Sequence, residues 1–507
     1  MGKTTKSVLL FSPNAQEEKK PNQWAPLSFL ALGSALEDKG YEVIIVDEKM
    51  EANADRMVRD VAGKALFMGI TSMTGTQIFN GIRMVREAKK VNPELPIIWG
   101  GWHPSLAPDS TIASPHVDIV VEGQGEETIV EVAERLSARQ SLKGVPGILY
   151  KEDGRVVRNS CRPFKDPNLF KRAAYHLLDL KKYQEAEPRD VVPRSLPASF
   201  GKMKAINYVA TYGCPFKCTF CSVTTLFHQR HYALSVERVL DDLEYLTDQG
   251  FNTITFEDSL FFVNKPWVKA VCEGMIERGL NLKWHATARA TDILKYDDDL
   301  MKTIRKSGCL YVFIGAESGS QAVLEMIDKG KTVKAAHTVE AVRRLSAHGI
   351  TNYLNYIVGL PGEPPRSYWD TMQQIKDVKD VSEETVIAIG AYAPYPGTPL
   401  FEAALSAGLK QPETLEGWAA FTHQHVNVPS GISPDLLRRI RFMNQMYLPF
   451  VAPSYSRKPK KIRDGFGRFL RWATRLRLQK RWLPWSWEVR LYWRYQKLKR
   501  SLSGAPG

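Results

Sequence analysis

Thr211-Tyr-Gly-Cys-Pro-Phe-Lys-Cys-Thr-Phe-Cys-Ser222 sets three of the six cysteines of the chain, Cys214, Cys218 and Cys221, within eight residues. The spacing is C-x3-C-x2-C. Three thiolates on one short loop can hold three irons of a 4Fe–4S cluster, which leaves the fourth iron open to a small molecule. A structural zinc site usually takes four protein ligands in two pairs. No second pair follows here, since Cys272 and Cys309 are isolated and Cys161 lies far upstream. Gly213 and Pro215 mark the stretch as a turn.

With Phe220 directly before the third cysteine, the loop resembles the motif of the radical S-adenosylmethionine family. The resemblance implies that the cluster chelates S-adenosylmethionine and cleaves it reductively to a 5′-deoxyadenosyl radical. It implies a partial (β/α)6 barrel, and the flanking sequence repeats in that way. Lys204–Thr211 reads as a strand running into the loop. Further strands are expected at Thr253–Asp258, Lys283–Ala288, Cys309–Gly315, Thr351–Gly359 and Thr385–Ile389, with helical stretches between them. Function in such barrels gathers at the carboxyl ends of the strands. Those ends carry Glu257-Asp258-Ser259, Arg289, Gly315-Ala-Glu317 and Gly359-Leu-Pro-Gly-Glu363. Carboxylates suit an ammonium and a diol, and a guanidinium suits a carboxylate. By the resemblance, Glu257 and Asp258 contact the amino group of S-adenosylmethionine. Arg289 and Glu317 contact its methionine and ribose parts, and Phe220, Ile357 and Gly359 wall its adenine.

Upstream, strands at Val8–Ser12, Tyr41–Asp47, Ala65–Thr71, Pro96–Gly101 and Asp118–Glu122 alternate with helices at Leu27–Asp38, Thr76–Lys90 and Glu127–Ala138. This order predicts an α/β fold with a doubly wound, Rossmann-like parallel sheet. Ligands bind such sheets beyond the carboxyl ends of the strands. This part resembles the cobalamin-binding domain that precedes the radical domain in one branch of the family. Carried over as cobalamin contacts are Ser72, Thr74, Gly100, Gly101, Trp102, His103, Glu122, Gly123 and Gly125. One departure is that Asp47-Glu-Lys-Met-Glu-Ala52 lacks the histidine that ligates cobalt in many cobalamin proteins. The alternative is a flavodoxin-like sheet without cobalamin.

The expected organisation is a cobalamin-binding domain over 1–144, a proline-punctuated linker over 145–203 with a hairpin turning at Asp153-Gly154, and the radical domain over 204–400. A mainly helical region follows, with a cap over the barrel at 401–456 and a basic tail at 457–507. That tail holds 16 Lys and Arg against Asp464 and Glu488, so the whole formal charge of +14 sits there. Five of the twelve tryptophans also fall in it, beside apolar positions 466, 469, 470, 473 and 476. Tryptophan with basic residues on an amphipathic helix is a membrane-surface composition. Nucleic acid is the weaker rival. No run of about 18 apolar residues predicts a spanning helix. Six cysteines in 507 residues suggest no disulfide scaffold, and a reducing cytoplasm suits the cluster.

The reading expected from these features is a cobalamin-dependent radical enzyme acting at an unactivated carbon, most simply a methyltransferase with a small-molecule or lipid-like substrate. Its electron donor would be a protein such as flavodoxin or ferredoxin, and its tail would touch the membrane surface. The alternatives are a radical cyclase and an RNA-modifying iron–sulfur enzyme. No side chain is assigned a catalytic role.

Overall fold

In the first strand, β1 (Ser7–Ser12), every residue is buried, because both faces of the sheet are covered. Val8 and Leu10 join one core with Phe29, Leu30, Ile129 and Val132. Leu9 and Phe11 join a second core with Val58, Ile78, Ile82 and Val85. Side chains alternate across a strand, so a continuous apolar run feeds two layers of helix. The computed structural model describes residues 6–15, 20–187, 202–327, 332–364 and 366–421, with isolated positions 469, 472, 473, 476 and 494.

Around β1 stand β2 (Glu42–Asp47), β3 (Met68–Thr71), β4 (Ile97–Gly100) and β5 (Ile119–Val121), all parallel. The hairpin β6 (Ile148–Glu152) and β7 (Arg155–Arg158) adds to β5 antiparallel, giving the order β2-β1-β3-β4-β5-β6-β7. The expected hairpin is therefore the edge of this sheet, which runs past residue 144 into the stretch expected as linker. Edge pairing satisfies the β5 backbone that a linker would leave bare.

The second sheet is parallel throughout: β8 (Ala205–Tyr208), β11 (Thr253–Phe256), β12 (Lys283–Ala288), β13 (Cys309–Glu317), β14 (Thr351–Val358) and β15 (Val386–Ala391). Its outer strands do not pair, so it is the partial six-stranded barrel that six β/α units imply. Inserted after β8 is a ribbon of β9 (Thr211–Gly213) and β10 (His231–Ala233) that frames the cysteine loop.

Beyond the barrel, Leu400 of the helix Pro399–Ser406 packs beside Leu360 and Tyr392 at the barrel mouth, but most of the buried face of this helix and of the helix Leu415–Ala419 turns away from it. Phe401, Ala404, Leu415 and Trp418 pack instead into the second core of the first sheet. Trp418 Nε1 donates to Ser110 Oγ at 3.0 Å, and Ser114 Oγ donates to Glu416 at 3.1 Å. The rest of the expected cap, residues 422–456, and the tail apart from the isolated positions lie outside the described residues.

Candidate active site

The cysteine loop is held at both ends. Gly213 has φ +76°, and a Cβ there would collide with the carbonyl of Arg230, the residue just before the facing strand. Only glycine allows that approach. Asp258, at the end of β11, accepts from the Ala210 amide at 2.9 Å and from Thr211 Oγ1 at 2.8 Å. Farther along, the Thr219 amide donates to the Ile327 carbonyl at 3.1 Å, and Thr225 Oγ1 donates to the Gly397 carbonyl at 2.8 Å. The helix Ser222–Phe227 starts directly after Cys221.

Burial pushes the Cys221 thiol up to about 11, and Cys218, Cys214 and Glu317 add in the same direction. The three thiols therefore lie within electrostatic reach of one another. A thiol so placed ionises when a metal takes the place of its proton. Among the described residues no three His, Cys, Asp or Glu side chains converge on a single-ion position. A loop that offers each thiol to a different iron does not need such convergence. The donor set of three soft sulfurs suits an iron–sulfur cluster.

Around this loop the barrel mouth brings together most of the expected S-adenosylmethionine set. The guanidinium carbon of Arg289 stands 3.5 Å from the centre of the Phe216 ring, and the side chain is buried. Its charge also reaches Cys218 and Cys214. Glu317 sits at a register shift on β13 with φ +59°, a left-handed backbone rare outside glycine. Phe220 and Ile357 pack into one small apolar cluster with Val323, Leu324 and Leu360. Gly359 has φ +86°, and the Glu363 carboxylate accepts from the Leu360 amide at 3.0 Å. Glu257 opens onto a cavity, where burial raises its carboxyl and the Trp24 indole beside it partly offsets the rise. Asp258 does not belong with these residues. It is 3 % exposed and bound to the loop backbone, so it shapes the loop and is closed to an ammonium.

That cavity, of about 1380 Å³, lies between the two sheets. Thr71, Gly100, Gly101, Trp102, Gly123 and Gly125 wall it from the first sheet, and Asn207, Tyr212, Gly213 and Glu257 from the barrel. At Gly123, with φ +71°, a side chain would meet no protein atom within 4 Å, so the backbone faces open space. Glycine-lined strand ends at a sheet's topological switch are where a large planar cofactor fits.

Four of the expected cobalamin contacts are turned elsewhere. His103 is fully buried and its ring meets Trp418 at 5.4 Å. Its Nδ1 pairs with Thr74 Oγ1 at 2.9 Å. Burial pushes the imidazole down to about 3, so it stays neutral as a core group and does not face the cavity. Ser72 is 1 % exposed beneath the turn. Glu122 pairs with Arg158 of the hairpin at 3.0 Å. Tyr212, Trp24 and Phe227 are cavity residues that sequence reading missed. The ribbon that carries Tyr212 has strands of three residues each, too short for any periodic signal.

Comparison with known proteins agrees with this geometry. Residues 208–375 match the Radical SAM superfamily, and residues 19–133 match the B12 binding domain. An uncharacterized methyltransferase of Pyrococcus horikoshii is 30% identical over 419 residues, covering 80% of this chain and 84% of that protein. The anaerobic magnesium-protoporphyrin IX monomethyl ester cyclase of Rubrivivax gelatinosus is 27% identical over 409 residues, covering 78% and 69%. Among solved structures, the radical S-adenosylmethionine methyltransferase TsrM of Kitasatospora setae, with cobalamin and a 4Fe–4S cluster bound, shares the fold. Its TM-score is 0.64 at 19% identity, covering 81% of this chain and 76% of that one. Cysteine loop, barrel mouth and glycine-walled cavity thus converge with a close relative that spans most of the chain. The protein belongs to the cobalamin-binding radical S-adenosylmethionine enzymes, whose cofactors are a 4Fe–4S cluster, S-adenosylmethionine and cobalamin.

Proposed function

We propose that this protein is a methyltransferase acting on an unactivated carbon of an apolar, lipid-like small molecule. The observation that carries the reading is the shared cavity. Its walls come from the glycine-rich ends of the first sheet and from the root of the cysteine loop, at Tyr212 and Gly213. When bound, the cluster with S-adenosylmethionine supplies a hydrogen-abstracting radical, and cobalamin supplies a methyl group. The chain's part is to hold the reacting partners in line and dry. Arg289, stacked on Phe216 beside the cysteines, fixes the loop and offers positive charge to a carboxylate. Phe220 and Ile357 give an apolar wall to a purine. Leu226 and Phe227 line the cavity next to Gly213 and exclude water from it. The methyltransferase relative supports methyl transfer. Likeness to the cyclase supports a second reading, ring formation without methyl transfer.

The lipid-like class rests on the tail. Phe469, Trp472 and Leu476 are helical and 43, 59 and 38 % exposed. Positions three and seven apart share one helical face, so these residues form an apolar stripe among basic neighbours, suited to an anionic membrane surface. Among the described residues no helix is long and apolar enough to cross a membrane. The electron donor is read as a small redox protein such as flavodoxin or ferredoxin.

The test uses anaerobic protein with reconstituted cluster and cobalamin, given S-adenosylmethionine, reductant and a membrane lipid extract. Cobalamin-dependent formation of both 5′-deoxyadenosine and S-adenosylhomocysteine is expected. Formation of 5′-deoxyadenosine alone moves the assignment to the cyclase. Absence of both with an intact cluster removes the lipid class.

A further inference from the structure

Below its mouth the partial barrel has an open lumen lined by rings. On β12, β13 and β14, Trp284, Ala286, Val312, Ile314, Leu354 and Tyr356 are buried on the helix side. Alternation therefore turns His285, Thr287, Tyr311, Phe313, Tyr353 and Asn355 toward the lumen. None of these strands is an edge strand. Even so, Asn355 is exposed, and Thr287, Phe313 and Tyr353 are half-buried. Such exposure on interior strands means that the lumen itself is open.

Its floor is built of rings packed both face to face and edge to face. The rings of His285 and Tyr311 stack at 4.2 Å with an interplanar angle of 13°. Phe313 lies 5.4 Å from Tyr311 and 4.3 Å from Tyr353. His285 Nε2 pairs with Thr255 Oγ1 at 3.0 Å. Its Nδ1 and the Tyr311 hydroxyl have no hydrogen-bond partner among the described residues, although both side chains are at most 2 % exposed.

A further ring comes from the other domain. The strap before the helix Leu27–Glu37 is tied to β8 by two reciprocal bonds. The Ala25 amide donates to Asn207 Oδ1 at 2.8 Å, and Asn207 Nδ2 donates to the Ala25 carbonyl at 3.1 Å. A turn in which the Trp24 amide donates to Asn22 Oδ1 at 3.1 Å then sets the indole. Trp24 is half-buried, lines the inter-domain cavity, and packs with Phe313 and Tyr353 on the Leu310–Tyr311 step. It thus stands where the cavity meets the lumen.

We infer that this ring-walled lumen seats the substrate, with Trp24 and Phe313 as specificity-determining residues that select a flat, conjugated ring system over a saturated one. Stacked and edge-on aromatic contacts reward a planar π-face beyond the area it buries. The inference deepens the reading of the protein as an enzyme for an apolar small molecule and rests on it only in requiring such a substrate. Methyl transfer itself is tested separately by product formation.

The experiment uses the full chain loaded with cluster, cobalamin and S-adenosylmethionine, without reductant, so that no turnover occurs. Naphthalene and its saturated counterpart decalin are compared by equilibrium dialysis. Naphthalene should bind roughly tenfold more tightly. Trp24→Ala and Phe313→Ala should bring its affinity down to that of decalin, while Trp24→Phe keeps most of the preference. Iron content and circular dichroism report folding, and Trp24→Phe and Phe313→Leu serve where an alanine variant fails to fold. Equal affinities, weak retention of both probes, or a preference unchanged in folded variants overturns the inference. A preserved ring preference without methylated product would instead fault the methyltransferase reading alone.

Discussion

Asp258 accepts two hydrogen bonds from the root of the cysteine loop, yet burial raises its carboxyl to about 7. A raised folded value means that the native state holds the proton more tightly than the unfolded chain. Its contribution to stability is full below the ordinary carboxylate range and is lost as pH rises through about 7. His103 has the opposite sign. It is held neutral with a value near 3, so its contribution is present above about 6.5 and lost as pH falls below that. The two slopes oppose each other between roughly pH 4 and 6.5. Asp258→Asn removes one of them and sets an amide against a donor, which costs about 1–3 kcal/mol. Urea midpoints measured across this range should rise more steeply with pH in the variant than in the wild type. A parallel profile would show that Asp258 does not titrate there.

At the scale of elements, the ribbon β9–β10 and the helix Leu415–Ala419 carry the sharpest expectations. Gly213→Ala combines a left-handed backbone with a collision at the Arg230 carbonyl. The ribbon should splay, and the reconstituted protein should lose iron to a chelator much faster than wild type while its far-ultraviolet dichroism is kept. Trp418 is fully buried in the core of the first sheet. Trp418→Ala should cost about 3–5 kcal/mol, read as a lowered unfolding midpoint with no change in iron content. The strands of both sheets were legible because buried parallel strands are written as continuous apolar runs, such as Val8–Phe11. The resting place of Trp418 was not legible, since an apolar residue signals burial without naming the surface that buries it. The helix Ala54–Ala62 also escaped, although Ala54, Met57, Val58, Val61 and Ala62 repeat at helical spacing along its packed face.

Over the whole molecule, function depends on how the two sheets meet. Asn207 joins the strap of the first domain to β8 through two bonds. Asn207→Leu removes both bonds while the Ala25 amide keeps the Gln23 carbonyl and the Ala25 carbonyl keeps the Leu27 amide, a loss of about 1 kcal/mol per bond. Protease nicking near residues 20–26 should quicken while cluster content stays unchanged. At the far end, removal of residues 457–507 takes away the entire net charge of +14. Binding to anionic liposomes should fall sharply, and more so at low salt, since each basic residue near such a surface is worth about 1 kcal/mol. Retained liposome binding by the truncated chain would overturn the membrane role.

The cysteine loop, the order of the β/α units and the glycine-rich strand ends are all readable along the chain. Each is a local pattern of spacing or period, set by covalent geometry and burial. Which polar residues face the site was settled by folding. It turned His103 and Asp258 into core supports, and it brought Trp24 and Tyr212 to the cavity. A residue type fixes what a side chain can do. The packing of distant segments against one another fixes whether it points at a ligand or at a neighbour.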